Sequence, residues 1–177
     1  MVFTETNLRG AFIIDVEKRG DARGFFARVW CKEEFAAHGL HTDLAQSNIA
    51  FSAKAGTLRG LHYQVKPYEE VKLVRCTRGS VYDVIVDLRS DSPTYMHWVG
   101  VELTESNHKM LYAPEGFAHG YQTLTDHAEV TYHVSQVYSP LSERGIRWND
   151  PKIGIEWPKT EVRIISGKDQ SWPDWSL

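Results

Sequence analysis

Residues 114–121 read PEGFAHGY, and residues 59–64 read RGLHYQ. Each sets a histidine just after a glycine-marked turn, with strand-forming residues on its flanks. An isolated histidine is more often structural than functional, but two of this chain's eight, His62 and His119, share the same setting. Outward from these segments the chain reads as short strands between turn signals. AFIIDVEK (11–18), EVKLVRC (70–76), SVYDVIVDLR (80–89), HWVGVELT (97–104) and AEVTYHVSQV (128–137) are rich in β-branched and aromatic residues. In SVYDVIVDLR the apolar residues do not alternate cleanly, the pattern of a strand covered on both faces. The turns TRGS, RSDSP and APEG fall at the intervals of a sandwich or barrel. Helical periodicity is confined to CKEEFAAHG (31–39), with acidic residues early and Gly39 placed to end it.

Composition narrows the classes. At 177 residues the chain fits one domain, 1–177, with room for a sizeable core. From about residue 140, LSERGIRWNDPKIGIEWP and SWPDW carry Pro and Trp but few regular elements, so this segment is expected to pack over the barrel. A net charge of −3 argues against nucleic acid as a partner. Cys31 and Cys76 stand in no CxxC or CxH spacing and read as ordinary thiols. The N-terminus lacks a charged start followed by an apolar segment, and no apolar run approaches the ~20 residues of a membrane helix. A cytoplasmic protein with no membrane partner is expected.

The histidine spacing resembles the cupins, whose metal sites use a Gly-led His-x-His with a following Glu and then Pro-x-Gly-x-x-His. The second motif is intact in Pro114–His119. In the first, Tyr63 and Gln64 follow His62 where His-x-His would stand, with Glu69 and Glu70 downstream. The resemblance implies an all-β, cupin-type jelly-roll sandwich or barrel with a few short helices, short of one metal ligand. A metal wants three or four well-placed ligands, so a metal-dependent cupin enzyme is an alternative and not the leading reading.

A closer resemblance runs through nearly the whole chain in order. GTLRGLHYQ, KLVRCTRGSVYDVIVDLRSDSPTY, PEGFAHGYQTL, VTYHVSQVYSP, RWNDPKIGIEWP and SGKD are similar to the dTDP-4-dehydrorhamnose 3,5-epimerase family. That resemblance implies a metal-free, cofactor-free isomerase acting on a nucleoside-diphosphate-linked 4-keto-6-deoxyhexose. It implies His62 as general base with Asp169 supporting it, and Tyr132 as the acid on the opposite face of the sugar. Lys72 and His119 would sit at the substrate, Lys72 near the enolate. Arg23, Arg59, Gln46, Asn48, Glu143 and Lys168 match positions that hold nucleotide and diphosphate, and Tyr138 matches the aromatic that stacks on the base. Phe26 and Arg28 belong to the same nucleotide-binding segment. The products would feed cell-surface polysaccharide or glycosylated metabolites.

Elementary chemistry agrees with these roles. Hydrogens on C3 and C5 flank the C4 ketone, so removing one gives an enolate whose charge is shared with oxygen. That step needs a base with a pKa near the working pH, which an Asp-supported His supplies. A cation such as Lys72 stabilises the enolate, and inversion requires a separate acid on the other face. No hydride moves, and the chain has no GxGxxG. Each residue also has a plainer reading: Lys72 as a solvated strand lysine, Tyr132 as a core residue, Asp169 as the end of a turn.

Two positions depart from the family's pattern. The RGxFxE motif ends in Arg28 where Glu is common, and Glu70 stands where Gln is frequent. Arg offers donors and no acceptor, which suits cytosine better than thymine and leaves a CDP-linked substrate open. Epimerisation at C3 alone is a second alternative, and a non-catalytic sugar-nucleotide-binding cupin is a third. A homodimer is expected, because an open jelly-roll edge is readily covered by a partner's strand.

Overall fold

The structure, a computed structural model, describes residues 1–176. The first half of the chain forms β1 (Val2–Glu5), β2 (Phe12–Asp15), β3 (Arg19–Asp21), β4 (Gly24–Phe26), α1 (Lys32–Ala37), β5 (Gln46–Ser52), β6 (Thr57–Gln64) and β7 (Lys72–Arg78). The second half forms β8 (Ser80–Asp87), β9 (Trp98–Thr104), β10 (Met110–Ala113), β11 (Phe117–Thr123), β12 (Ala128–Val134), β13 (Glu143–Gly145), β14 (Ile164–Ile165) and α2 (Gly167–Gln170).

The strands make two facing sheets. One runs β1-β2-β10-β7-β12-β5 and the other β13-β6-β11-β8-β9, with β14 also pairing β6. This is the jelly-roll sandwich expected from the sequence. Between the sheets, Val74, Val81, Ile85, Leu103, Leu111 and Val130 form a fully buried core at one end. The five-stranded path is buried on both faces at β8, where Val84, Ile85 and Val86 are each 0% exposed. That explains the missing alternation in its sequence. Phe35 of α1 packs on Ile14, Leu73, Met110 and Tyr112, so the short helix caps one sheet's outer face. Gly39, at φ +69°, ends it as expected.

The segment after residue 140 does more than cover the barrel. β13 pairs antiparallel with the end of β6 (Gly145 opposite His62), and β14 pairs parallel with its start (Ile165 opposite Leu58). Between them Ile146 and Ile153 pack on Leu61, Val86 and Ala118 over the outer face of that sheet. β6 and β11 approach so closely that a Cβ on Gly60 (φ +118°) would lie 2.6 Å from the Gly120 Cα. Only glycine fits there. No helix among the described residues is long and apolar enough to cross a membrane.

Candidate active site

Beside the packed core, the sandwich opens into a cleft with two lobes of about 420 and 400 Å³, and His62, Lys72 and Tyr132 line both. Its two walls come from different sheets. β6 and β11 supply Arg59, His62, His119 and Tyr121, while β5, β7 and β12 supply Ala50, Lys72 and Tyr132. His62 thus lines the cleft from one sheet and Tyr132 from the other.

The His62 Nε2–H donates to Asp169 Oδ1 at 2.6 Å, leaving Nδ1 as the nitrogen free to accept a proton. Asp169 arrives on α2, whose Ser166 hydroxyl caps the Asp169 N–H at 3.0 Å. Its other oxygen accepts from the Gly60 N–H at 3.3 Å. Burial works to raise the Asp169 pKa, but the bond and charge of His62 outweigh it, and the carboxyl ends below its ordinary value. His62 is one-third exposed and Asp169 is buried, so the pair presents its imidazole to the cleft.

His119 sits directly opposite His62 across the β6–β11 ladder. Its Nε2–H donates to Asp83 Oδ1 at 2.8 Å, and Asp83 is wholly buried. Asp83 was not anticipated from the sequence, though a signal was present. A carboxylate amid the valines of β8 is costly to bury unless it is paired. Tyr121 was also missed; burial pushes its hydroxyl up to about 12.

Tyr132 sits on β12 opposite Asn48 of β5. Burial chiefly, and then the negative charge of Glu70, raises its pKa above the ordinary tyrosine value, with Arg59 opposing. Lys72 is nearly buried, and its ammonium donates to Glu70 Oε1, itself nearly buried. It is therefore no solvated strand lysine. Gln64 is buried, and its amide donates to Glu70 Oε2 at 3.3 Å and to the Tyr68 carbonyl at 2.9 Å. Among the described residues, no group of three or more His, Cys, Asp or Glu is placed to hold a metal ion.

The second lobe gathers Gln46, Asn48, Tyr138 and Glu143. Tyr138 donates its hydroxyl to Glu143 at 2.7 Å, and Lys168 closes on both oxygens of that carboxylate at 2.7 Å. Arg59 spends two donors on the Phe51 carbonyl and Ser52 Oγ and keeps its remaining N–H groups for a ligand.

Three expected nucleotide-binding residues lie elsewhere. Arg23 is bound to Asp21, and Arg28 donates to Glu34 at 3.1 Å. Phe26 and Arg28 line a separate hollow with Met1, Glu17 and Lys18. All three belong to or follow the β3–β4 hairpin, a two-stranded sheet that joins neither large sheet, so within one chain they do not line the cleft.

Comparison with known proteins bears on these observations. A family model described as dTDP-4-dehydrorhamnose 3,5-epimerase matches residues 5–176. The chain is 43% identical over 173 residues to a dTDP-4-dehydrorhamnose 3,5-epimerase of Sinorhizobium fredii, covering 98% of this chain and 89% of that one. A solved dTDP-4-dehydrorhamnose 3,5-epimerase of Bacillus anthracis, with TDP and PPi bound, matches with TM-score 0.94 and 42% identity, covering 98% of this chain and 99% of that one. A Legionella pneumophila epimerase in complex with dTDP-4-keto-L-rhamnose matches with TM-score 0.92 and 36% identity, over 98% and 92% of the two chains.

Proposed function

The chain belongs to the dTDP-4-dehydrorhamnose 3,5-epimerase family, and from that premise we propose that it inverts C3 and C5 of a dTDP-linked 4-keto-6-deoxyhexose through an enolate. One observation carries the mechanism: an Asp-backed imidazole and a half-buried tyrosine face one cleft from opposite sheets. His62 Nδ1 takes the proton from the carbon beside the ketone, and the C–H electron pair becomes the enolate with charge on the C4 oxygen. Asp169 steadies the imidazolium that forms. Tyr132 delivers a proton to the other face of the same carbon, which inverts it. The hydroxyl's raised pKa keeps it protonated until the enolate is there to receive the proton. Lys72 supplies the ammonium donor toward the enolate oxygen, with His119 lining the same lobe. Arg59 lines the first lobe and Lys168 is tied to Glu143 of the second, where an anionic diphosphate would rest.

A homodimer follows from the same reading. The β3–β4 hairpin carries Arg23 and Phe26 away from its own cleft, and Phe25 and Phe26 are 50% and 66% exposed. An isolated two-stranded hairpin is marginal in water. On the edge strand β5, Ile49 and Phe51 face outward at 68% and 47% exposure. A second copy covering these apolar residues would let the hairpin bring Arg23, Phe26 and Arg28 to a partner's cleft. A nucleotide-linked, water-soluble substrate is in keeping with the cytoplasmic location expected above.

The test is proton NMR in deuterium oxide with a dTDP-4-keto-6-deoxyglucose substrate. Solvent deuterium at both C3 and C5, with inverted product, supports the proposal. Deuterium at C3 alone reduces it to a 3-epimerase. Binding with no exchange at either carbon overturns it in favour of a non-catalytic binding protein.

A further inference from the structure

Where the cleft's two lobes meet, the cation meant for the enolate is already matched by an anion. Lys72 Nζ donates to Glu70 Oε1, and the two side chains are only 11% and 10% exposed. Glu70 lies two residues before Lys72, so the chain's extended course puts both side chains on the same side. Its second oxygen accepts from Gln64 Nε2, and that amide is fixed by the Tyr68 carbonyl and by the Ser139 N–H, which donates to Gln64 Oε1 at 2.6 Å. The carboxylate is thus held from two directions.

We propose that Glu70 is a positioning residue that keeps Lys72 as half of a neutral pair at the junction of the lobes, and so governs how much enolate charge the site stabilises. An ion pair this sheltered from solvent feels little screening. A substrate enolate beside Lys72 therefore meets an ammonium whose field is largely cancelled by the carboxylate behind it. The benefit lies in matching the two proton transfers, because an over-stabilised enolate would be a poor base toward Tyr132.

Glu70 also bears on Tyr132. The other titratable groups that line the two lobes with Tyr132 are Arg59, His62 and Tyr63 of β6, His119 and Tyr121 of β11, Lys72 of β7, Asp169 of α2, Glu143 of β13 and Tyr138, while β5 offers the neutral Gln46, Asn48 and Ala50. Of these surroundings Glu70 is the charge that most raises the Tyr132 pKa, after burial itself. Losing the carboxylate therefore lets the acid deprotonate at lower pH.

This inference rests on the epimerase reading, and the closing experiment separates the two. Glu70→Gln is isosteric and removes the charge, whereas Glu70→Asp keeps the charge and shortens the reach. Each is compared with wild type by deuterium wash-in at C3 and C5 and by the pH profile of product formation, with thermal melting as the check on folding. For Glu70→Gln we expect wash-in to rise about tenfold and the alkaline limb of product formation to move to lower pH. Glu70→Asp should leave that limb near its wild-type position, and it carries the test if Glu70→Gln fails to fold. Slower wash-in with an unmoved limb in Glu70→Gln, or the same limb shift in Glu70→Asp as in Glu70→Gln, overturns the inference. A wild type with no wash-in at all overturns the epimerase reading instead.

Discussion

Two imidazole–carboxylate pairs stand side by side on neighbouring strands, built alike but unequally exposed. His62 donates to Asp169 and His119 donates to Asp83, each through Nε2, and the two histidines are cross-strand partners. The first imidazole is 34% exposed to the cleft and the second 10%, while Asp83 is 0% exposed. Asp169 satisfies both oxygens, whereas Asp83 Oδ2 has no partner among the described residues. The difference teaches that a dyad is not in itself a catalyst. On the proposed mechanism, access for its free ring nitrogen suits His62 to act as the base, and deep burial suits the His119–Asp83 pair to brace the ladder.

The largest effect should separate the pairs cleanly. His62→Ala is expected to lose about 10²–10⁴-fold in C3/C5 wash-in, with a folding cost of about 1–3 kcal/mol, because the buried Asp169 loses one partner but keeps the Gly60 N–H. His119→Ala strips a buried carboxylate of its partner and should cost about 3–5 kcal/mol in urea unfolding. The comparison breaks if His119→Ala abolishes wash-in while its unfolding curve stays unchanged.

Asp169→Asn comes next. An amide can donate to the imidazole and hold it in the tautomer that points N–H at the substrate, so activity should fall about 10²–10³-fold with unchanged substrate binding. Full activity in this variant would show that the carboxylate merely ends a helix turn. Tyr132→Phe sharpens the picture from the opposite wall. Product formation should drop about 10²-fold, with wash-in losing less than about tenfold, since His62 can return the proton to the face it came from. Equal losses in both assays would remove Tyr132 as the separate acid.

The smallest effect is on stability in acid. The folded Asp169 carboxyl lies below its ordinary value, so its contribution is complete above the unfolded value of about 3.9 and fades as pH falls through the lower folded one. The melting-temperature gap between wild type and Asp169→Asn should therefore hold from pH 6 to about pH 4 and shrink below it. A gap that is constant down to pH 2 would mean that the pair contributes nothing through its charge.

Much of this was legible in the sequence, for physical reasons that differ by element. Strands β7, β8, β9 and β12 announced themselves because β-branched residues are concentrated in them. β5 was not called as a strand, since its pattern is inverted: Gln46, Asn48 and Ala50 face the cleft while Ile49 and Phe51 face outward. Family resemblance singled out His62, Asp169 and Tyr132, but the placing of His62 and Tyr132 on opposite walls depends on sheet order, which no local pattern encodes. The hairpin residues Arg23, Phe26 and Arg28 show the limit from the other side. Their motif was visible, yet motif spacing says nothing about which cleft, or whose, the hairpin reaches.

The route of the last strands has a consequence for the timing of synthesis. His62 and Asp169 are 107 residues apart in the chain, and among the described residues the edge of β6 beside His62 is covered by β13 and β14. Contacts of such long sequence separation form late in folding. As the chain leaves the ribosome, the β6–β11 and β8–β9 pairings can assemble well before residue 169 is available. The cleft would then exist while its histidine still lacked a carboxylate, and β6 would still offer an open edge to other chains. The strands that seal the edge, β13 and β14, both precede Asp169 in the chain, so the edge can close before the dyad does.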